Sequence, residues 1–313
     1  MLGLTVADVA RLLGAPPPVD GARPLRSVVA DSRSAGPGDL FVALTGARTD
    51  GHAHLEELAA RGAVAALVRP GCGARPRDLA AIEVEDPLLA LGVLARAHLQ
   101  RLRPRVFGIT GTVGKTTAKD FLAQLLGGVG GAVHAAPASF NSEIGLPLSV
   151  LGAPLGTRKL VLEYGINAPG EMERLLAIAS PDEAWITAVS PVHLAGMGSL
   201  ATIAHEKSLL AAAVPEAGRI WLEPAWSEVL RVEAARWQAP IFPLPGLEET
   251  GIQVRDTEPL AWRLDHPRWG TLCLPLVAPH EVALALGAAE IAAAQGVEPE
   301  SLRARLAVLQ RPT

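Results

Sequence analysis

The stretch Val106-Phe-Gly-Ile-Thr-Gly-Thr-Val-Gly-Lys-Thr-Thr-Ala-Lys119 decides the architecture of this chain. A short apolar run leads into a glycine turn, and the residues after the turn have a helical pattern. Gly111 and Gly114 allow the backbone to bend with its N–H groups turned inward, as in loops that bind phosphate. Lys115 supplies a positive charge for the outer phosphates, and Thr116 supplies a hydroxyl for a magnesium ion. The stretch therefore predicts a phosphate-binding strand, loop and helix.

The loop is a variant of the common phosphate-loop motif. The strict spacing G-x-x-x-x-G-K-[ST] requires glycine at position 109, where this chain has Ile109. The alternative is an ordinary glycine turn with an incidental surface lysine. Only four of the 28 Lys and Arg residues are lysines, which favours a specific role for the lysine of the loop.

Length and composition restrict the class of protein. The 313 residues suffice for two domains, and 49% hydrophobic with 19% charged residues is typical of globular chains. A net charge of -4 predicts neither a nucleic acid nor an anionic membrane as partner. Cys72 and Cys273 are far apart in sequence and indicate unpaired thiols. No signal-peptide pattern begins the chain, so a cytoplasmic location is expected.

Two α/β domains are predicted, with a boundary near residue 85. A helix ended by Gly14 is expected first in residues 1–85, and the strands and the second helix that follow lie at about 27–30, 40–44, 54–61, 63–68 and 81–84. Asp86 and Pro87 then predict a helix start, and residues 86–313 form the domain of the phosphate loop, with a mostly parallel sheet. Loop residues of the first domain, among them Ser32, Arg33 and 49–52, either bind a polar ligand or are only solvated.

Polar residues follow two further apolar runs of the second domain. Glu163 ends the run 160–163, and His193 follows the run 184–189. The carboxyl ends of parallel strands share one sheet edge, so both residues are expected near Lys115, where an acid can hold magnesium. Alternatively, Glu163 is a surface strand end and His193 has no special role. Lys207 lies within an apolar helical pattern and would most often be a surface lysine.

Four motifs follow one another in the second domain. They are Gly108-Ile-Thr-Gly-Thr-Val-Gly-Lys-Thr-Thr117, Ser139-Phe-Asn-Ser-Glu-Ile-Gly-Leu-Pro147, Leu162-Glu-Tyr-Gly-Ile-Asn-Ala-Pro-Gly-Glu171 and Pro191-Val-His-Leu-Ala-Gly-Met-Gly-Ser199. In this order they resemble the Mur ligases, and within that family the branch that adds D-alanyl-D-alanine to UDP-N-acetylmuramoyl tripeptide in peptidoglycan synthesis. Residues 31–44 and 50–52 resemble the family's uridine-nucleotide-binding domain.

The resemblance implies an ATP- and Mg²⁺-dependent peptide ligase. In this family ATP phosphorylates the terminal carboxylate of the sugar-linked peptide, and an amine attacks the acyl phosphate so that phosphate leaves. The implied fold is a small N-terminal α/β domain for the UDP-sugar, followed by a central phosphate-loop ATPase domain. The implied partners are UDP-N-acetylmuramoyl tripeptide and D-alanyl-D-alanine.

Roles for single residues are also implied by the resemblance. The implied nucleotide contacts are Gly111, Thr112, Gly114, Lys115, Thr116, Thr117 and His280. The implied metal ligands are Thr116 and Glu163 for one magnesium, and His193 with Lys207 for a second metal, where Lys207 matches a lysine that family members carbamylate. The implied catalytic residues are Lys115, His193 and Lys207. The implied substrate contacts are Ser32 and Arg33 at the uridine nucleotide and Asn141 at the muramoyl peptide.

Departures from the family pattern leave a second function open. Val113 and Ala195 replace a polar residue and a glutamate, and Glu281 stands where an asparagine usually contacts the base. The chain also ends about where the central domain ends, so the third, C-terminal domain is expected to be absent, as in a truncated or split enzyme that has this domain as a separate partner. The alternative is a catalytically weak Mur-like nucleotide-sugar-binding or regulatory protein. A folate polyglutamate synthase is disfavoured by residues 31–52.

Overall fold

The computed structural model describes residues 3–46, 49–72, 76–127, 132–136, 138–191, 194–244, 253–258 and 261–311. The chain forms two compact units. The first comprises Met1–Arg103 with Glu143–Gly156, and the second comprises Pro104–Ser142 with Thr157–Thr313. The sequence suggested a boundary near residue 85, whereas the first unit extends to Arg103 and also includes residues 143–156.

The first unit is built on a four-stranded parallel sheet in the order β1-β2-β3-β4. Its strands are β1 (Val28–Val29), β2 (Leu40–Val42), β3 (Ala65–Val68) and β4 (Ala80–Glu83). Its helices are α1 (Val6–Leu12), α2 (Leu55–Ala60), α3 (Pro87–Leu102) and α5 (Gly145–Gly152). Strands β2 and β3 are buried throughout, and their side chains pack with Leu55 and Leu58 of α2.

Helix α3 is the last element before Arg103, where the first segment of the first unit ends. Asp86 caps it by accepting from the N–H groups of Leu88 and Leu89, and Pro87 occupies its first turn, as the sequence indicated. The helix packs against α5, and the buried ring of His98 contacts the carbonyl of Ala153 at 2.8 Å. A cap marks only the start of a helix. The side on which α3 packs follows from these tertiary contacts, which the sequence pattern does not contain.

The second unit is built on a six-stranded parallel sheet in the order β10-β9-β8-β5-β7-β6. Its strands are β5 (Arg105–Thr110), β6 (Ala132–Ala135), β7 (Thr157–Glu163), β8 (Glu183–Ile186), β9 (Arg219–Leu222) and β10 (Ile241–Pro243). Strand β5 is central, because β7 and β6 follow it on one side and β8, β9 and β10 on the other. The carboxyl end of β5 is therefore the point at which ligands bind in such sheets.

Helices and a second sheet complete this unit. Its helices are α4 (Lys115–Leu126), α6 (Glu171–Ile178), α7 (Leu194–Met197), α8 (Leu200–Ala212), α9 (Ser227–Ala234), α10 (Pro279–Ala294) and α11 (Pro299–Leu306). The antiparallel strands β11 (Gln253–Glu258), β12 (Ala261–His266) and β13 (Gly270–Leu274) were not predicted. Few positions of β12 and β13 are buried, so their alternation is a weak sequence signal. Within the described ranges, each helix is too short or too polar to cross a bilayer.

Candidate functional site

The phosphate loop connects β5 to α4 and depends on two glycines. Gly114 has φ 82° and precedes α4 without a side-chain cap, so the N–H groups of the first turn stay available for an anion. Gly111 has no room for a side chain, because a Cβ atom there would lie 2.1 Å from Oγ1 of Thr187. That hydroxyl in turn donates to the carbonyl of Val113 at 2.6 Å and holds the loop against the end of β8.

Lys115 lies over the loop. Its Nζ donates to the carbonyl of Gly111 at 3.0 Å and to that of Thr112 at 3.4 Å. Burial lowers the pKa of Lys115, and the nearby charge of Glu163 acts in the opposite direction. The ammonium is thus held where it can exchange loop carbonyls for the oxygens of a bound anion.

Glu163 ends β7 beside the loop helix. Its position pairs with Ile109 of β5, and the residue is only 2% exposed. Thr116 donates from Oγ1 to one carboxylate oxygen at 2.9 Å, and Asn141 donates from Nδ2 to the other at 2.7 Å. Glu163 is therefore a buried carboxylate at the expected sheet edge, not an exposed strand end.

Lys207 approaches the same loop from α8. Ser199 caps this helix by accepting from the N–H of Thr202. Lys207 is 4% exposed, and its Nζ donates to the carbonyl of Gly111 at 2.9 Å. Burial, followed by the charge of Lys115, lowers the pKa of Lys207 to about 7. The alternative of a solvated surface lysine is thereby excluded.

The lowered pKa of Lys207 gives stability a defined pH dependence. The pKa is about 7 in the folded chain and 10.5 ordinarily, so between these values the unfolded chain binds more protons. Stability should therefore rise as pH increases from about 7 towards 10.5, by up to about 1.4 kcal/mol per pH unit from this group. Lys207→Met should lack this component. Urea unfolding of both proteins across this range checks the expectation, which a pH-independent difference in unfolding free energy would contradict.

The two lysines and the loop enclose a polar cavity of about 120 Å³. Its lining residues are Gly111, Lys115, Asn141, Gly165, Ile166, Asn167 and Lys207. The cationic side chains of Lys115 and Lys207 line this space, and Glu163 lies beside it through its bond to Asn141. The arrangement suits an anionic ligand accompanied by a cation.

Other residues proposed for this site lie in several places. Thr112 accepts from the N–H of Ser190 and donates its own N–H to Ala188, and Thr117 lies in the first turn of α4. His280 is exposed at the start of α10, whose Leu284 packs against Gly114. His193 lies outside the described residues. Among the residues that the structure describes, no group of three His, Cys, Asp or Glu side chains could hold a metal.

Glu281 has a structural role at the start of α10. Its carboxylate accepts from the N–H groups of Ala278 at 3.1 Å and Val277 at 3.2 Å, and it pairs with Arg311 at 2.7 Å. Burial opposes its charge, but these bonds outweigh burial and lower the pKa of Glu281. Glu281, which departs from the family pattern, thus caps the start of α10.

The first unit has a cavity of its own, of about 390 Å³. It is lined by Asp50, His52, Ala53, Leu55, Glu56 and Cys72. The ring of His52 contacts Asp50 at 2.6 Å through Nδ1 and accepts from the N–H of Arg69 through Nε2. The structure places Ser32 and Arg33 in the loop after β1, where Arg33 forms an ion pair with Asp31 at 2.7 Å.

Two residues beside the site were not identified from the sequence. Ser139 lies 3.0 Å from Thr116, hydroxyl to hydroxyl, and Lys119 is fully buried on α4. Serine carries no pattern signal in a loop. The scarcity of lysines in the chain is the one signal that could have singled out Lys119.

Comparison with known proteins identifies the family. The model of the Mur ligase family, catalytic domain, matches residues 24–98, and that of the Mur ligase middle domain matches residues 109–245. The chain belongs to the Mur ligase family. This confirms the resemblance and the predicted α/β fold with parallel sheets.

The Mur ligase relatives include several with one activity in their names. The UDP-N-acetylmuramoyl-tripeptide–D-alanyl-D-alanine ligase of Escherichia coli (strain K12) is 32% identical over 297 residues, 91% of this chain and 64% of that protein. The enzyme of the same name from Bacillus subtilis (strain 168) is 41% identical over 183 residues, 58% of this chain and 40% of that protein. The chain thus spans about half the length of these curated relatives.

Solved Mur ligase structures share the fold. MurF from Acinetobacter baumannii superposes with a TM-score of 0.80 at 25% identity, covering 98% of this chain and 68% of that one. MurF ligase from Thermotoga maritima in complex with ADP superposes with a TM-score of 0.71 at 27% identity, covering 89% and 65%.

Proposed function

We propose that this Mur ligase chain carries the nucleotide-binding and UDP-sugar-binding parts of a cytoplasmic ligase that adds D-alanyl-D-alanine to UDP-N-acetylmuramoyl tripeptide. The observation that carries the proposal is the convergence of Lys115, Lys207 and the Thr116–Glu163 pair on one glycine loop. The names of the E. coli and B. subtilis relatives support the substrates, and the ADP complex of the T. maritima neighbour supports a nucleotide at the loop.

The residues beside the loop fit a magnesium ion. Glu163 is a buried carboxylate, and both groups that donate to it, the hydroxyl of Thr116 and the amide of Asn141, are neutral. A buried carboxylate with neutral donors favours a cation, and hydroxyl and carboxylate oxygens are ligands that magnesium prefers. Thr116 and Glu163 would hold the ion, which would neutralise phosphate charge when bound.

Lys115 and the loop would bring two anions together. Phosphoryl transfer to a carboxylate requires that a phosphate and a carboxylate approach each other, so charge neutralisation and alignment are the main tasks. Lys115 contributes a positive charge, and the first-turn N–H groups of α4 contribute fixed donors. The cavity beside both is lined by Asn141 and Asn167, whose amides can orient the peptide carboxylate.

Lys207 suits the carbamylation that the family resemblance suggests. Because its pKa is about 7, Lys207 is a neutral amine in a large fraction of the molecules at physiological pH. The amine nitrogen can form a bond to the carbon of CO₂ and release a proton, which leaves an anionic carbamate. Such an anion would support a second metal together with His193. It would also remove the repulsion between Lys207 and Lys115.

The first unit would hold the uridine nucleotide. We assign the cavity beside Asp50 and His52 to this ligand, and Ser32 and Arg33 lie in the loop after β1 of the same unit. The buried ring of His52 is oriented by its two hydrogen bonds, which makes it a fixed part of the wall.

A catalytically weak binding or regulatory protein is the second candidate. The observation in its favour is that the carboxylate of Glu281 is already engaged by two N–H groups and Arg311. The position where the family usually has a base-contacting asparagine is therefore used for helix capping. A weak adenine contact would follow.

Phosphate release separates the two candidates. The chain is given ATP, Mg²⁺, UDP-N-acetylmuramoyl tripeptide and D-alanyl-D-alanine, with and without a C-terminal Mur ligase domain supplied in trans. Release that requires both peptides supports the ligase. A folded chain that binds the UDP-sugar but releases no phosphate in either mixture supports the binding protein.

A further inference from the structure

Lys119 is a buried cation that the proposed chemistry does not use. It lies on α4, one turn after Thr116, and is 1% exposed. Its Nζ donates to the carbonyl of Ala136 at 2.5 Å and to that of Ala138 at 2.7 Å, and lies 3.1 Å from Oδ1 of Asp120. An ammonium has three donors, and these three acceptors match them. Lys119 therefore has no donor left for a ligand, which argues against direct contact with substrate.

The carbonyls bound by Lys119 belong to the loop that carries two residues of the site. We call residues 136 and 138–142 the Asn141 loop. Ser139 of this loop contacts the hydroxyl of Thr116 at 3.0 Å, and Asn141 donates to Glu163 at 2.7 Å. The backbone carbonyl of Asn141 also accepts from the N–H of Gly165, which lines the cavity.

The Asn141 loop contains one residue with an unfavourable backbone conformation. Ala138 has φ 55°, a left-handed conformation that residues other than glycine rarely adopt. Its carbonyl is one of the two that Lys119 binds. Thr116 and Lys119 lie three residues apart on one helix face. The same turn of α4 therefore contacts the side chain of Ser139 and two backbone carbonyls of the loop.

We propose that Lys119 is a positioning residue, which fixes the Asn141 loop so that Ser139 and Asn141 orient the Thr116–Glu163 pair for its metal. The proposal rests on the proposed function, since it assumes a magnesium–nucleotide site at this pair. Groups that orient metal ligands in this way contribute substantially to metal affinity. The chain thus uses two lysines of one helix differently: Lys115 for the anion and Lys119 for the ligands of the cation.

The test compares ATP binding in Mg²⁺ with ATP binding in EDTA, by isothermal titration calorimetry on the whole chain. The magnesium enhancement is the ratio of the Kd in EDTA to the Kd in Mg²⁺. We expect Lys119→Met to lower this enhancement about tenfold while the Kd in EDTA stays unchanged. Lys159→Met, near the amino end of β7 and four residues before Glu163, is the matched control and should keep the full enhancement.

A double-mutant cycle separates positioning from a merely structural role. Asn141→Ala should lower the enhancement to a similar extent, and the double variant should show little further loss, because both changes act through the same loop. Ala138→Val provides the test if Lys119→Met does not fold. This residue is exposed, and a β-branched side chain disfavours φ 55°. Ala138→Val should therefore show the same loss.

The outcomes also distinguish this inference from the proposed function. If the wild-type chain binds ATP with a magnesium enhancement and a folded Lys119→Met or Ala138→Val variant keeps it, the inference is overturned and the proposed function stands. Additive losses in the double variant would overturn it as well. If the wild-type chain binds no ATP, the proposed function fails and the inference fails with it.

Discussion

Lys115→Met is expected to weaken ATP binding by about 30- to 150-fold. The ammonium of Lys115 lies over the loop and would make charge-assisted contacts with phosphate oxygens. Loss of such contacts costs about 2–3 kcal/mol, which corresponds to this factor in affinity. Methionine keeps the length and the apolar stem of the side chain. Burial already lowers the pKa of Lys115, so removal of the charge should leave the fold intact.

Calorimetry with ATP in Mg²⁺ and in EDTA measures this effect. Because Lys115 acts on the anion, the loss should appear under both conditions. Lys159→Met again serves as the control for removal of a lysine from the same unit. If the Kd of Lys115→Met for ATP lies within about threefold of the wild-type Kd, the assignment of this loop as the phosphate site is wrong.

Glu163→Gln should have the second largest effect, confined to the metal. The variant retains the size of the side chain and an acceptor oxygen but loses the negative charge that a cation requires. ATP binding in EDTA should not weaken, since one negative charge beside the phosphates is removed, and the magnesium enhancement should fall by about 10- to 100-fold. The fold should survive, because the two groups that donate to Glu163 are neutral and no ion pair within the described contacts is broken.

Glu183→Gln is the matched control for Glu163→Gln. Glu183 is also a buried glutamate on a strand of this sheet, but it pairs with Arg105 at 2.6 Å and with the indole N–H of Trp221 at 2.7 Å. Loss of this buried charge should lower the free energy of unfolding, by about 1–3 kcal/mol because Arg105 is half-exposed and water can solvate it, without affecting the magnesium enhancement. The opposite pattern, in which Glu163→Gln lowers stability but keeps the enhancement, would assign Glu163 a structural role.

The centre of the site was predictable because its signals are local. The apolar strand, the glycine turn and the lysine of the loop are consecutive in sequence, and the helix start follows directly from them. The position of Glu163 required one further rule, that parallel strands end at a common edge, and a role for Lys207 came from the family resemblance alone. The structure brings both residues to the loop.

The remaining features depend on contacts between distant parts of the chain. The role of Lys119 becomes visible only when α4 and the Asn141 loop are seen together, since neither carbonyl partner has a sequence signature. Likewise, the membership of residues 143–156 in the first unit follows from the packing of α5 against α3. Glu281 differs from these cases, because its capping bonds to Val277 and Ala278 are local and only its ion pair with Arg311 joins distant parts of the chain.

The central claim is that Lys115, Thr116 and Glu163 form a metal–nucleotide site. The measurement that tests it most directly is a crystal structure of the chain with a non-hydrolysable ATP analogue and Mn²⁺, with the metal located by its anomalous scattering. We expect the outer phosphates at the loop beside Lys115 and a manganese peak shared by the hydroxyl of Thr116 and the carboxylate of Glu163. Nucleotide bound away from the loop, or manganese held by residues other than this pair, would contradict the account.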